Sequence, residues 1–237
     1  MKRAAEGSAE RLIPLVGRQS AVEALAGALE THQSRLITGP PGIGKSRLLA
    51  EALSRCNVPH LLIHGPCTLR DLLVRVAEMT GCGAAAKSSM SLKGIILASL
   101  ACEPRAILLE DMSDAGPRMY RFLQAVYHSP GSCLIVTAHS RESLGYLRRL
   151  LWDPREEIRL GPLKRAEAAS LFEMAATACG LSELDLDAFR LQVLRFAHGN
   201  PGQIVAMCRL AAKPEYRRGR HVRFLPLRMD ALPAFIG

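Results

Sequence analysis

Gly39-Pro40-Pro41-Gly42-Ile43-Gly44-Lys45-Ser46 is a complete G-x-x-x-x-G-K-[ST] stretch, and its flanks decide what it builds. A short apolar run, Arg35-Leu36-Ile37-Thr38, precedes it. Arg47-Leu48-Leu49-Ala50-Glu51-Ala52-Leu53, a strong helix former, follows. The order predicts strand, tight turn and helix, the context that separates a phosphate-binding loop from an ordinary Gly/Pro turn. Gly39, Gly42 and Gly44 let the backbone aim several N–H groups at one phosphate. The helix adds its positive N-terminal end. Lys45 is read as the group that neutralises the β- and γ-phosphates, and the Ser46 hydroxyl as a ligand of Mg2+. Residues 39–46 together with Arg47 are expected to contact a nucleoside triphosphate.

A chain of 237 residues has room for one large domain, or for a nucleotide domain and a small second one. About half the residues are apolar and the charges are interspersed, as in a globular protein. No apolar stretch approaches the roughly 20 residues needed to span a bilayer. The N-terminal Met-Lys-Arg-Ala-Ala-Glu-Gly-Ser lacks the apolar centre of a signal peptide, so a cytoplasmic location without membrane contact is expected. The seven cysteines are widely spaced and form no C-x-x-C, which argues against a zinc site or disulfide framework. A net charge of +9 favours a polyanionic partner.

Apolar β-type runs alternate with helical patterns, which predicts an α/β fold with a five-stranded parallel sheet. Strands are expected near 34–38, 60–64, 106–110, 133–137 and 157–160. Helices are expected near 19–31, 45–55, 69–79, 91–101, 117–127 and 142–151, with a mobile loop from Cys82 to Met90. After Gly161-Pro162-Leu163 the strand signal ends. Helices near 164–178, 184–197 and 203–212 then make a small all-helical lid. The resulting division is a nucleotide domain over 1–161, a lid over 162–212 and a basic tail over 213–237. Pro214, Pro226 and Pro233 prevent the tail from being one continuous helix.

Ala106-Ile107-Leu108-Leu109-Glu110-Asp111 is an apolar strand ending in two carboxylates. A parallel strand beside the phosphate loop delivers them at its carboxyl end, where open α/β sheets bind ligands. By register Glu110 takes the Mg2+ role and Asp111 the task of orienting and deprotonating an attacking water. The usual order is Asp then Glu, so the expectation is hydrolysis that is either slow or stimulated by a partner. Strand 133–137 runs into Ala138-His139-Ser140-Arg141. Thr137 has the best register for sensing a γ-phosphate; His139 and Arg141 are the alternatives, and His139 reads equally well as a surface residue.

These pieces resemble the AAA+/STAND P-loop ATPases, in the branch near origin-recognition, transposition and secretion ATPases. Leu15-Val16-Gly17-Arg18-Gln19 is similar to the family's opening motif, which packs on adenine, so the resemblance implies nucleotide contacts by Val16, Gly17 and Arg18. Leu109-Glu110-Asp111-Met112 resembles the family's acidic strand end. Glu157 to Leu163, followed by Glu167-Ala168-Ala169-Ser170-Leu171-Phe172, resembles the link into its lid. His198-Gly199-Asn200-Pro201-Gly202 is similar to a lid motif that contacts the nucleotide, which implies a role for Pro201. The resemblance covers about 15–212 and implies ATP, Mg2+ and assembly into a ring or filament. An arginine finger is not obvious. Arg148, Arg149 and Arg155 lie where relatives place one, Arg149 or Arg155 fitting best, but the cluster reads first as a solvated basic face.

Between Lys213 and Arg228 there are six Lys/Arg against one acid, Glu215, with Tyr216 and Phe224 interleaved. Such a segment can neutralise phosphates while its aromatics stack on bases, and Arg217, Arg218, Arg220 and Arg223 are the candidates. Alternatively Val222, Phe224, Leu225 and Leu227 pack on the lid, with Val222-Arg223-Phe224 as a short edge strand. The sequence therefore predicts an ATP-hydrolysing switch acting with nucleic acid, DNA above all. The alternative is a STAND-type switch acting on a protein partner. A small-molecule kinase fits less well, because the helical lid is a poor acceptor site.

Overall fold

The computed structural model describes residues 13–65, 67–83 and 87–231. Residues 1–12, 66, 84–86 and 232–237, among them the N-terminal stretch read for a signal peptide, part of the 82–90 loop and Pro233, lie outside the described residues. The chain forms two compact units. Of the described residues, one unit holds those within 20–40 and 45–160; the other holds 13–19, the loop tip 41–44 and 161–231.

The first unit contains helix α1 (Gln19–Glu30, its first residue excepted), β1 (Arg35–Thr38), α2 (Lys45–Arg55) and β2 (His60–His64). It continues with α3 (Leu69–Met79), α4 (Ser89–Cys102), β3 (Ala106–Glu110), α5 (Pro117–Tyr127), β4 (Cys133–Ala138) and β5 (Glu157–Arg159). The five strands are parallel in the order β2-β3-β4-β1-β5. Every residue of β3 and β4 is buried, and that is why they read as continuous apolar runs instead of alternating ones. Leu36, Ile107, Leu109, Leu134 and Val136 join a core with residues of α3, α4 and α5. The alternate residues Ile37, Leu108 and Ile135 point to the opposite face and are equally buried.

The helix predicted over 142–151 does not form. Two short 3-10 turns, Glu142–Leu144 and Tyr146–Arg149, stand there instead. Gly145 between them has φ +58°, outside the right-handed helical region. It pairs with Ala115 as an isolated parallel bridge, and a Cβ on it would lie 2.9 Å from the Ala115 backbone. Helix α4 starts earlier than predicted, because the Ser88 side chain accepts the Ser91 N–H and caps it.

The second unit contains α6 (Arg165–Ala178), α7 (Leu186–Ala197), α8 (Pro201–Ala211), the hairpin strands β6 (Arg217–Arg218) and β7 (His221–Val222), and α9 (Phe224–Ala231). Phe172, Phe189, Val193, Ile204 and Met207 centre its core, with the Phe172 and Phe189 rings 5.7 Å apart. Helix α8 begins at Pro201, two residues before the predicted start. Proline at the first helical position forfeits no intrahelical bond, and Asn200 caps the turn. Phe224 opens a helix instead of extending a strand; Pro226 is accommodated in that helix's first turn.

Candidate functional site: the phosphate loop and the acid turn

In the sheet unit, β1 ends at Thr38 and α2 opens on Lys45. Gly39, Gly42 and Gly44 have φ +155°, +74° and +100°, a left-handed path that only glycine follows without strain. The Lys45 ammonium donates to the carbonyls of Gly39 at 2.8 Å and Pro40 at 3.3 Å. Partial burial lowers its pKa, while the negative charge of Asp111 works in the opposite direction. The first turn of α2 carries no acidic side chain of its own to offset the positive end of the helix. Ser46 is exposed and Arg47 half-buried. Ile43 is buried, and the Gly39 N–H donates to the His139 carbonyl at 3.1 Å.

The two acids at the end of β3 part company. Glu110 is 7% exposed and its Oε2 lies 2.6 Å from Nδ1 of His64, its register partner on β2. Asp111 turns out of the strand at φ +53°. Its N–H donates to Oγ1 of Thr137 at 2.9 Å, and the next N–H, of Met112, donates to the Thr137 carbonyl at 2.8 Å. Thr137 is 1% exposed, so its side chain shapes the acid turn from within.

His139 is exposed. Arg141 is engaged: it donates to Glu157 Oε2 at 2.8 Å and to the Trp152 carbonyl. Glu157 also accepts the Thr38 hydroxyl at 2.5 Å, which ties the end of β1 to β5. Burial pushes the Glu157 carboxyl up, but hydrogen bonds from Thr38, Arg159 and Arg141 outweigh it and leave the pKa lowered. Arg148, Arg149 and Arg155 are exposed. Sequence reasoning missed His64 and Glu157. His64 ends a predicted strand, but its pairing with Glu110 exists only once β2 lies beside β3.

In the helical unit, the lid motif reaches the loop tip through residues on either side of Pro201. Asn200 Nδ2 donates to the Pro41 carbonyl at 2.9 Å, and the Gly202 N–H donates to the Gly42 carbonyl at 2.9 Å. The Pro201 ring lies 3.9 Å from where a Cβ on Gly44 would be. Val16 packs half-buried against this unit's core. Gly17 has φ +67°, and a Cβ there would fall 2.6 Å from the Glu167 carboxylate. The Arg18 guanidinium donates to the Gly161 carbonyl; burial lowers its pKa and Glu167 opposes that shift.

The tail candidates divide. Arg217 donates to the carbonyls of Ala211 at 2.8 Å and Ala212 at 2.7 Å, closing the C-terminal end of α8. Arg218 and Arg223 are exposed; Arg220, also exposed, donates to the Glu183 carbonyl at 3.3 Å. Among the described residues no cluster of three or more His, Cys, Asp or Glu side chains could hold a metal ion, and no helix is long and apolar enough to cross a membrane.

The fold is shared with solved ATPase structures. Over 92% of this chain it superposes on the Aeropyrum pernix ORC1 protein solved in complex with DNA, at 18% identity and TM-score 0.65. A Walker-type ATPase of Pyrococcus abyssi aligns over 92% at 16% identity, TM-score 0.62. A Pyrococcus horikoshii STAND protein with a tetratricopeptide repeat sensor aligns over 92% at 16%, TM-score 0.58. The chain spans 65%, 72% and 32% of those three proteins respectively. A comparison with curated proteins finds no match by sequence. The sequence profile of the AAA ATPase domain matches residues 14–172, more than half of the chain. With the phosphate loop at the end of β1 and the acid turn at the end of β3, the chain belongs to the AAA ATPase domain family.

Proposed function

We propose that this chain binds ATP with Mg2+, hydrolyses it slowly, and acts as a molecular switch together with nucleic acid. The observation that carries the ATPase reading is topological: β1 and β3 are parallel strands of one sheet, so Lys45, just past the end of β1 at the head of α2, and Asp111, just past the end of β3, stand at the same carboxyl edge. The donor set suits the nucleotide: a left-handed glycine path, a helix N-terminus with no acid in its first turn and one lysine. For Mg2+, the Ser46 hydroxyl and Glu110 carboxylate are hard oxygen donors, few in number, as expected for an ion that keeps waters and phosphate oxygens as its other ligands.

When bound, the metal would offset charge developing on the phosphates. Glu110 is held in the strand register and supplies a carboxylate oxygen. Asp111, one methylene shorter than glutamate, would accept the proton of the attacking water, from a backbone position set by Thr137. For the helical unit we assign nucleotide contacts to Val16, Gly17, Arg18 and Pro201, alongside the loop tip that Asn200 and Gly202 hold.

Lys45→Ala tests the core of this reading: it should lose nucleotide affinity by at least tenfold in calorimetric titration, and unchanged ATP turnover would refute the assignment. Asp111→Asn should retain binding and lose turnover. If Glu110→Gln does so instead, the two acids have exchanged roles.

The nucleic-acid part is supported by the net charge of +9 and by the exposed Arg218, Arg220 and Arg223. A second reading, a switch acting on a protein partner, is favoured by the burial of Tyr216 and the partial burial of Phe224 against the core of the helical unit, which leaves these two rings little free for stacking on bases. Retention on a DNA column across a salt series separates the two, since phosphate contacts weaken steeply with salt.

A further inference from the structure

Aromatic and basic residues occur together in two stretches of the sequence, and the fold uses them in opposite ways. In the tail they are consumed by packing. Tyr216 is buried with its hydroxyl on Asp230 at 2.5 Å. Phe224 sits against Phe189 and Phe196, and the Arg228 guanidinium lies 4.0 Å from the centre of the Phe196 ring. Among the described residues of the tail, both aromatic rings are engaged in packing within the helical unit.

The segment from Arg141 to Arg159 is the reverse. Leu144, Leu147, Leu150 and Leu151 are drawn into the core of the sheet unit. In the 3-10 turn Tyr146–Arg149 that burial leaves Tyr146, Arg148 and Arg149 outward, and Trp152, in the irregular chain just after it, is exposed as well. Trp152 is 69% exposed and Tyr146 43%. The Arg149 guanidinium lies 4.9 Å from the centre of the Tyr146 ring. Trp152 is anchored at its root, because its carbonyl accepts from Arg141, which Glu157 holds in turn. The acids of this segment are mostly engaged: Glu157 by Arg141, Arg159 and Thr38, Glu156 by the Tyr127 hydroxyl, and Asp153 by the Arg155 N–H. What faces solvent is Arg148, Arg149, Arg155 and Arg159 against Glu142.

A bare indole on a fixed backbone, an arginine-stacked tyrosine and a surplus of guanidinium groups are the parts of a stacking platform with phosphate contacts. We infer that Tyr146, Arg148, Arg149 and Trp152 form a docking surface for single-stranded nucleic acid. Trp152 stacks on an unpaired base, and Arg148 and Arg149 neutralise flanking phosphates. A duplex offers no free base face to the indole, so the strand bound is single. The inference rests on the nucleic-acid reading above and moves its principal surface from the tail to the segment after β4.

Trp152 is the single tryptophan of the chain, so its emission reports on this surface alone. The full chain is titrated with a labelled oligothymidylate of about 20 nucleotides, somewhat longer than typical single-strand site sizes. Tryptophan emission and label anisotropy are read together across a salt series. Saturable quenching is expected, with Trp152→Ala weakening binding about 5- to 150-fold and Trp152→Phe recovering part of the loss. The double variant Arg148→Ala/Arg149→Ala should flatten the log–log salt slope by about 1.4, the contribution of two phosphates. Binding of a fluorescent ADP analogue, unchanged in each variant, shows that the fold is intact.

If the oligonucleotide binds with undiminished affinity to Trp152→Ala and without quenching in the parent chain, the surface is wrong while the nucleic-acid reading survives. If the oligothymidylate does not bind the parent chain, the inference falls; the nucleic-acid reading falls with it only if duplex DNA is not retained either. A change in light-scattering mass on Trp152→Ala with unaltered oligonucleotide affinity would make this a protein contact and overturn the inference.

Discussion

The hydroxyl of Thr137 accepts the backbone N–H of Asp111 at 2.9 Å, joining the end of strand β4 to the residue that leaves β3 in a left-handed conformation. Thr137→Val keeps the shape and removes the acceptor, leaving a part-buried N–H without its partner. A loss of about 1–3 kcal/mol is expected in urea unfolding. Turnover should fall at least tenfold while nucleotide affinity stays within about twofold, because the change moves the acid and not the loop. Thr137→Ser should restore both, and a serine variant as impaired as valine would show that packing, not the hydrogen bond, is at stake.

Asn200 performs two tasks that one substitution can separate. Its Oδ1 accepts the Gln203 N–H at 3.2 Å and caps α8, while its Nδ2 donates to the Pro41 carbonyl of the loop tip. Asn200→Asp retains the cap and loses the donor; Asn200→Ala loses both. Thermal unfolding should show about 1 kcal/mol of destabilisation for alanine and much less for aspartate. Nucleotide affinity should fall in both variants. Normal affinity in Asn200→Asp would mean that the loop tip needs no support from this side chain.

Gly145 is where the segment after β4 meets the segment after β3. Besides the bridge to Ala115, the Asp114 N–H donates to the Ser143 carbonyl at 2.7 Å and the Tyr146 N–H to the Ala115 carbonyl at 2.9 Å. Gly145→Ala combines an unfavourable φ with a Cβ pressed against backbone, and stability should drop by about 1–3 kcal/mol. Hydrogen exchange at Asp114 and Tyr146 should accelerate first. Protection at those amides equal to that of the parent chain would contradict the clash.

Glu157 makes stability depend on pH in a defined direction. Its carboxyl titrates lower in the folded chain than in the unfolded one. The stabilisation is therefore complete above the unfolded value, about 4.3, and is lost as pH falls through the folded value. Glu157→Gln should cost about 1.5–3 kcal/mol at neutral pH, and the gap between variant and parent should close in acid. A gap that persists unchanged at pH 3 would rule out the charge as its source.

The sequence by itself determined the phosphate loop, the order of strands and helices along the chain, and the carboxylates ending β3. Each is written in local pattern: glycine spacing, apolar runs of strand length, and caps such as Asn200-Pro201. Tertiary structure decided what pairing creates. Glu110 meets His64 only because β2 lies beside β3, and Arg141, in the segment after β4, meets Glu157 only because β5 returns to pair with β1. The helical pattern over 142–151 was overruled by a contact 30 residues away, since Gly145 lies against the Ala115 backbone. The fate of the aromatic residues was equally non-local. Tyr216 and Phe224 look available in the sequence, yet Tyr216 is buried and Phe224 packs half-buried on the helical core, whereas Trp152 stands in solvent because the leucines beside it had a core to enter. Burial is a property of the assembled fold, and a linear pattern records only which residues favour it.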